Sequence, residues 1–260
     1  MKLIKKALQY IYSIYAFIVF VLILLLIFPF VLISLLFEKT KSGNFIYFLC
    51  RTWADIAFFL WGFTHKNIFE QPLNKTHASI YVFNHISYMD IPVLMKAFRK
   101  QHLRILAKSS MGAIPIFGLL YRKATIMVDR TSPEARSKSI RQLKETLLKN
   151  ISVVIAPEGT FNHSECALKS FYDGAFKIAI ETQTPIVPLI FPDNYSRLHY
   201  KSVFSLTPGK TRAIFLERIE VKEYKINEVE LLKQKVYNEM EEALIRYKAP
   251  WIKNLKCRNN

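Results

Sequence analysis

A histidine and an aspartate stand five positions apart in Asn84-His85-Ile86-Ser87-Tyr88-Met89-Asp90, followed by Ile91-Pro92. Within one regular helix that separation turns the second side chain about 140° away from the first. The two meet only if His85 lies in a turn and Asp90 opens the next helix, which Pro92 helps to start. So arranged, neutral His85 takes a proton from an acceptor hydroxyl while Asp90 holds its tautomer and stabilises the imidazolium. Each also has a plainer reading, His85 as a hydrogen-bonded turn residue and Asp90 as a helix cap. Ser87 is near enough to invite a nucleophile's role, yet no Gly-x-Ser-x-Gly elbow surrounds it.

Further clusters follow apolar runs in the same way. In Ala156-Pro157-Glu158-Gly159-Thr160, Pro157 ends a strand, Gly159 lets the backbone approach a ligand, and Glu158 and Thr160 can bind hydroxyls. A surface turn is the alternative there. Another cluster runs from Lys108 through Gly112-Ala113-Ile114-Pro115-Ile116-Phe117-Gly118 to Val128-Asp129-Arg130. Arg130, at a strand's end, suits a bidentate phosphate contact, or equally an ion pair with Asp129 or a helix cap. Ile186-Val187-Pro188-Leu189 reads as a buried strand whose proline fits an edge or bulge.

The elements that must carry these clusters alternate. Residues 79–83, 103–107, 124–128, 151–155, 185–191 and 212–219 are apolar and β-rich, while 133–150, 173–182 and 228–247 carry helical spacing. Alternation of this kind predicts an α/β fold, a mostly parallel sheet flanked by helices, with active groups at the strands' carboxyl ends. No Gly-rich phosphate loop and no internal repeat is present.

The first part of the chain differs. Residues 7–37 carry no formal charge and follow Lys2, Lys5 and Lys6; a helix over 7–28 alone reaches roughly 33 Å, about a bilayer's hydrocarbon thickness. Pro29 interrupts the run. A second apolar stretch, 45–63, holds Arg51 and Asp55 at a spacing where they pair on one helix face, with Trp53 and Trp61 suited to an interface. We therefore expect a two-helix membrane anchor over residues 1–63 and a catalytic α/β domain over 64–260. Basic residues flank both ends of the first helix, favouring a re-entrant or monotopic arrangement over a single crossing.

Composition bounds the rest. With 51% apolar residues and 7 glycines among 260 residues, the chain is neither disordered nor collagenous. A net charge of +17 points to an anionic partner. Cys50, Cys166 and Cys257 are odd in number and far apart, in no metal or disulfide spacing, which reads as a reducing compartment.

Four clusters in this order, NHISYMD, GAIPIFG with VDR, PEGT and IVPL, resemble the glycerolipid acyltransferase family of the lysophosphatidate acyltransferase (PlsC) type. The resemblance implies acyl transfer from an acyl-carrier-protein or coenzyme A thioester to the free hydroxyl of 1-acyl-glycerol 3-phosphate (lysophosphatidate), forming phosphatidate. It implies His85 and Asp90 as the catalytic pair, Arg130 on the acceptor's phosphate, and Glu158 and Gly159 shaping the acceptor site. Thr160 and Lys108 complete the expected substrate-binding set. No metal and no cofactor beyond the acyl donor are implied. The expected partners are membrane lipids and the thioester carrier, not nucleic acid, with the catalytic domain on the cytoplasmic face of a membrane such as the bacterial inner one. The chain departs from the pattern at Phe161, where arginine is usual, and at Ala124, where glycine is usual. Either Arg130 acts with a neighbour such as Arg122, Lys123 or Lys169, or the acceptor is another lyso-lipid. A membrane thioesterase or lipase, or a binding protein that has kept the fold and lost the chemistry, are the rivals.

Overall fold

The computed structural model describes residues 2–72, 77–99, 101, 103–114, 117–128 and 132–254. The N-terminal apolar run forms one helix, α1 (Lys2–Ile33), which passes through Pro29 instead of breaking there. A tight turn at Ser34–Leu36 leads into α2 (Lys39–Leu60), which begins ahead of its apolar stretch. The two helices pack antiparallel: the Tyr12 hydroxyl donates to the Trp61 carbonyl, and Trp61 Nε1 donates to the Ala16 carbonyl at 3.0 Å. Phe20 meets Trp53 edge-on at 5.2 Å.

The strands are β1 (Thr64–Phe69), β2 (Ile80–Phe83), β3 (Leu103–Lys108), β4 (Thr125–Val128), β5 (Ser152–Ile155), β6 (Ile186–Ile190) and β7 (Lys210–Phe215). They form one sheet in the order β1-β7-β6-β2-β5-β3-β4, parallel except where β7 meets β6. All six strands expected from the sequence are present. The additional strand β1 escapes sequence reading because Thr64-His65-Lys66-Asn67-Ile68-Phe69, on the sheet's edge, alternates no apolar face. Pro188 lies inside the sheet, not at an edge, with Leu216 N donating to its carbonyl at 2.9 Å beside the short β6–β7 ladder.

Helices cover both faces. Tyr81 and Phe83 point to the layer holding α1, α2, α3 (Asp90–Ala97) and α4 (Phe117–Ala124). Ile80 and Val82 point to the opposite layer of α5 (Pro133–Leu148), α6 (Gly174–Thr182) and α8 (Val229–Arg246). A short helix, α7 (Asn194–Arg197), follows β6.

The inner face of α2 is part of the first core. Ile46, Tyr47, Ala54, Ala57 and Phe58 are buried there with Tyr81, Phe98 and Phe215, each large side chain contributing about 1.5–3 kcal/mol of apolar burial. The expected Arg51–Asp55 pair does not form. Asp55 instead takes Lys96 and, bidentately, Arg99, while Arg51 donates to the Arg99 carbonyl. Two cations from α3 and the residues after it outcompete the intrahelical partner, because a guanidinium fork matches both carboxylate oxygens. The outward face of α1 stays apolar and uncovered, with Leu3 82% and Leu26 72% exposed. Contrary to the reading of unpaired thiols, Cys166 is disulfide-bonded, while Cys50 is free.

Candidate active site

The turn after β2 is fixed at both ends. Asn84 Oδ1 accepts the Phe191 N–H at 2.8 Å, tying the carboxyl ends of β2 and β6. His85 follows, and its Nδ1 lies 2.8 Å from Asp90 Oδ2. A carboxylate only accepts, so Nδ1 carries the proton and Nε2 is the basic nitrogen. Asp90 Oδ2 also accepts the N–H groups of Ile86 at 2.9 Å and Ser87 at 3.0 Å, and Asp90 opens α3. The spacing condition set by the sequence, His85 in the turn and Asp90 at the helix start, is met. The imidazole is partly exposed, whereas the Asp90 side chain is fully buried. Its second oxygen, Oδ1, accepts from Asn194 Nδ2 at 2.8 Å.

Ser87 is fully buried, and its hydroxyl donates to the Leu198 carbonyl while accepting from Met89 N at 2.9 Å. That hydroxyl is structural. The same stretch beyond β6 reaches α1, where Gln9 Nε2 donates to the Ser205 carbonyl at 2.9 Å and Tyr10 stacks on Phe204 at 5.5 Å.

Glu158 does not face an open cavity. It is 1% exposed, and its oxygens accept the main-chain N–H groups of His85 at 2.8 Å and Lys169 at 2.9 Å. Burial pushes its carboxyl up to about 8, against the pull of those two N–H donors and with the Asp90 charge adding to the rise. From the same loop, Asn162 N donates to the His85 carbonyl at 2.7 Å. Glu158 and Asn162 of the loop after β5 thus grip the backbone of His85 at its N–H and its carbonyl, and Gly159 between them takes φ +71°, which favours glycine.

Phe161, in the position where the family pattern has arginine, packs on the imidazole with ring centroids 4.3 Å apart, and Tyr88 meets Phe161 edge-on at 4.9 Å. Thr160 is exposed and accepts from Lys169 Nζ at 2.9 Å. Lys108 stands exposed at the carboxyl end of β3, its carbonyl accepting the Tyr121 hydroxyl at 3.0 Å. Arg122, a candidate phosphate neighbour, donates to the Gly112 carbonyl and so braces its own loop. Arg130 lies outside the described residues. The structure therefore joins His85, Asp90 and Glu158 directly, places Thr160 with Lys169, and sets Lys108 on the same sheet end.

Sequence reading missed Asn194 and Asn162. A signal for Asn194 was present, since Pro192-Asp193-Asn194 directly follows an apolar strand and so occupies the sheet's active end.

Residues 65–192, which hold all four clusters, match the protein-family model described as Acyltransferase. A 1-acyl-sn-glycerol-3-phosphate acyltransferase of Cocos nucifera is 37% identical over 114 residues, 43% of this chain and 36% of that protein. A chloroplastic 1-acyl-sn-glycerol-3-phosphate acyltransferase of Arabidopsis thaliana is 30% identical over 198 residues, 75% of this chain and 53% of that protein. The chain spans about half the length of these relatives or less. The crystal structure of the 1-acyl-sn-glycerophosphate acyltransferase PlsC from Thermotoga maritima superposes with a TM-score of 0.73 at 23% identity, covering 96% of this chain and 99% of that one, a likeness of fold. Residues 65–192 of this chain therefore form an acyltransferase-family domain.

Proposed function

We propose that the chain transfers an acyl group from an acyl-carrier-protein or coenzyme A thioester to the free hydroxyl of 1-acyl-glycerol 3-phosphate, forming phosphatidate at a membrane surface. The observation that carries this reading is the Nδ1 contact of His85 with buried Asp90 at 2.8 Å, within the family-matched residues. Nε2 of His85 takes the acceptor's hydroxyl proton as the oxygen attacks the thioester carbonyl. Collapse of the tetrahedral adduct breaks the C–S bond, and the imidazolium returns the proton to the departing thiolate. Asp90 stabilises the imidazolium between these steps. No cofactor is needed beyond the acyl donor, and Arg130, Lys108 and Lys169 are the cations proposed for the phosphate.

The uncovered apolar face of α1 supports membrane attachment. A water-borne enzyme would lift its lipid from the bilayer at about 0.8 kcal/mol per methylene, a cost that docking at the surface removes. Because α2 is packed against the sheet, we favour α1 lying along the bilayer over a free crossing, with the basic domain on the cytoplasmic face. Phe161 favours a second reading, in which the acceptor is another lyso-lipid whose headgroup is not a phosphomonoester.

A lipid-product assay with both donor types across several lyso-acceptors tests the reaction and the acceptor together. Phosphatidate is the expected product, and His85→Ala should lower turnover by about 10²- to 10⁴-fold. Release of free fatty acid without an acylated lipid product would instead establish a hydrolase.

A further inference from the structure

We infer that Asn194 is a positioning residue that acts on His85 through Asp90. This inference rests on the proposed acyl-transfer reading and deepens it. Asp90 Oδ2 is saturated by His85 Nδ1 and the N–H groups of Ile86 and Ser87, so the carboxylate can pivot only about that oxygen, and Asn194 holds the other, Oδ1, which would otherwise swing. Asn194 Nδ2 donates to that oxygen at 2.8 Å, and both side chains are fully buried. Because a carboxylate cannot donate, the amide's orientation is fixed, with its NH₂ group toward Asp90. The opposite amide atom, Asn194 Oδ1, is buried with no hydrogen-bond partner among the described residues. Among the described residues the bond to Asp90 is thus the one hydrogen bond the Asn194 side chain makes. The arrangement makes sense if one strong, charge-assisted bond to Asp90 is what the position requires.

The residue lies on α7, beyond the last of the four sequence clusters, so it adds a third strand end to the site. Among the described residues, His85 and Glu158 are the titratable groups that interact with Asp90.

Asn194→Ala should lower kcat by about 10- to 100-fold with acceptor KM within about twofold. Should that variant fail to fold, Asn194→Asp supplies the test. Its introduced carboxyl, when protonated, can donate to Asp90, but when ionised repels it, so activity should fall with rising pH over a range where the parent's activity is level. His85→Ala is measured in parallel. If His85→Ala is inactive while folded Asn194→Ala and Asn194→Asp keep the parent's kcat and pH profile, this inference falls and the acyl-transfer reading stands. A higher acceptor KM with unchanged kcat would also overturn it, by placing Asn194 on the substrate. Retained turnover in His85→Ala would overturn the underlying reading itself.

Discussion

The carboxylate of Glu158 accepts the main-chain N–H of His85 at 2.8 Å, and its other oxygen accepts the N–H of Lys169 at 2.9 Å. One buried acid therefore joins the turn after β2 to the loop after β5. A side chain that binds the acceptor and a side chain that holds the base in place fail differently when replaced. Glu158→Gln keeps one acceptor oxygen but turns an NH₂ group toward the second N–H. We expect kcat to fall by about 10- to 100-fold with little change in acceptor KM. Steady-state kinetics showing the reverse, a raised KM at full kcat, would assign Glu158 to the acceptor.

The same residue gives a pH signature to stability. Burial raises its carboxyl from 4.5 to about 8, so between those values the folded chain holds more protons than the unfolded one. Its contribution to stability is therefore fully present below about pH 4.5, declines as pH rises toward about 8, and is flat beyond. Denaturant midpoints taken at about pH 5, 7 and 9 should fall across this window in the parent and fall less in Glu158→Gln. Identical slopes in the two proteins would contradict the assignment.

Phe161 covers one face of the imidazole at 4.3 Å. Phe161→Ala should free the ring and lower kcat by about 3- to 10-fold, in keeping with an aromatic pair worth about 0.5–1.5 kcal/mol. Phe161→Arg brings a cation beside His85, which disfavours the imidazolium and should also lower kcat. If the acceptor carries a phosphomonoester, the same variant should lower its KM; an unchanged KM would favour a different headgroup.

Gly118 packs against the backbone of Gly112, and a Cβ there would overlap the Gly112 carbonyl oxygen, which Arg122 also engages. Gly118→Ala should destabilise the fold by about 1–3 kcal/mol. Gly174→Ala, where a Cβ meets nothing within 4 Å, is the control and should leave Tm unchanged or slightly higher.

Deleting residues 1–63 should not release a soluble active domain. Ile46, Tyr47, Ala54, Ala57 and Phe58 of α2 share one core with Tyr81, Phe98 and Phe215, so the deletion removes half of that layer and exposes the apolar surface it had covered. Gel filtration and circular dichroism of the truncated chain should show aggregation or lost structure; a monomeric, cooperatively melting product would refute the shared core.

Much of this architecture was legible because the central strands are buried on both faces and read as unbroken apolar runs, as in Ile80-Tyr81-Val82-Phe83 and Ser152-Val153-Val154-Ile155. The His85–Asp90 contact was legible for a different reason: only one local geometry lets that spacing close. β1 was not, since an edge strand with one wet face need not carry a pattern. Nor was the partner of Asp55, which is set by a residue brought close through tertiary packing, Arg99. Glu158 illustrates the sharper limit. Its position beside the site was readable, but not its direction, inward to two main-chain N–H groups.

Residues 194–206 touch the His85–Asp90 pair's surroundings at one end and the apolar helix α1, proposed to face lipid, at the other, through Asn194 with Asp90, Ser87 with the Leu198 carbonyl, and Gln9 with the Ser205 carbonyl. Solubilisation is then not a neutral step in handling this protein. A micelle that lets the start of α1 drift would slacken the same span that steadies Asp90, and turnover in bicelles should exceed turnover in short-chain detergent even for an acceptor soluble enough to need no surface.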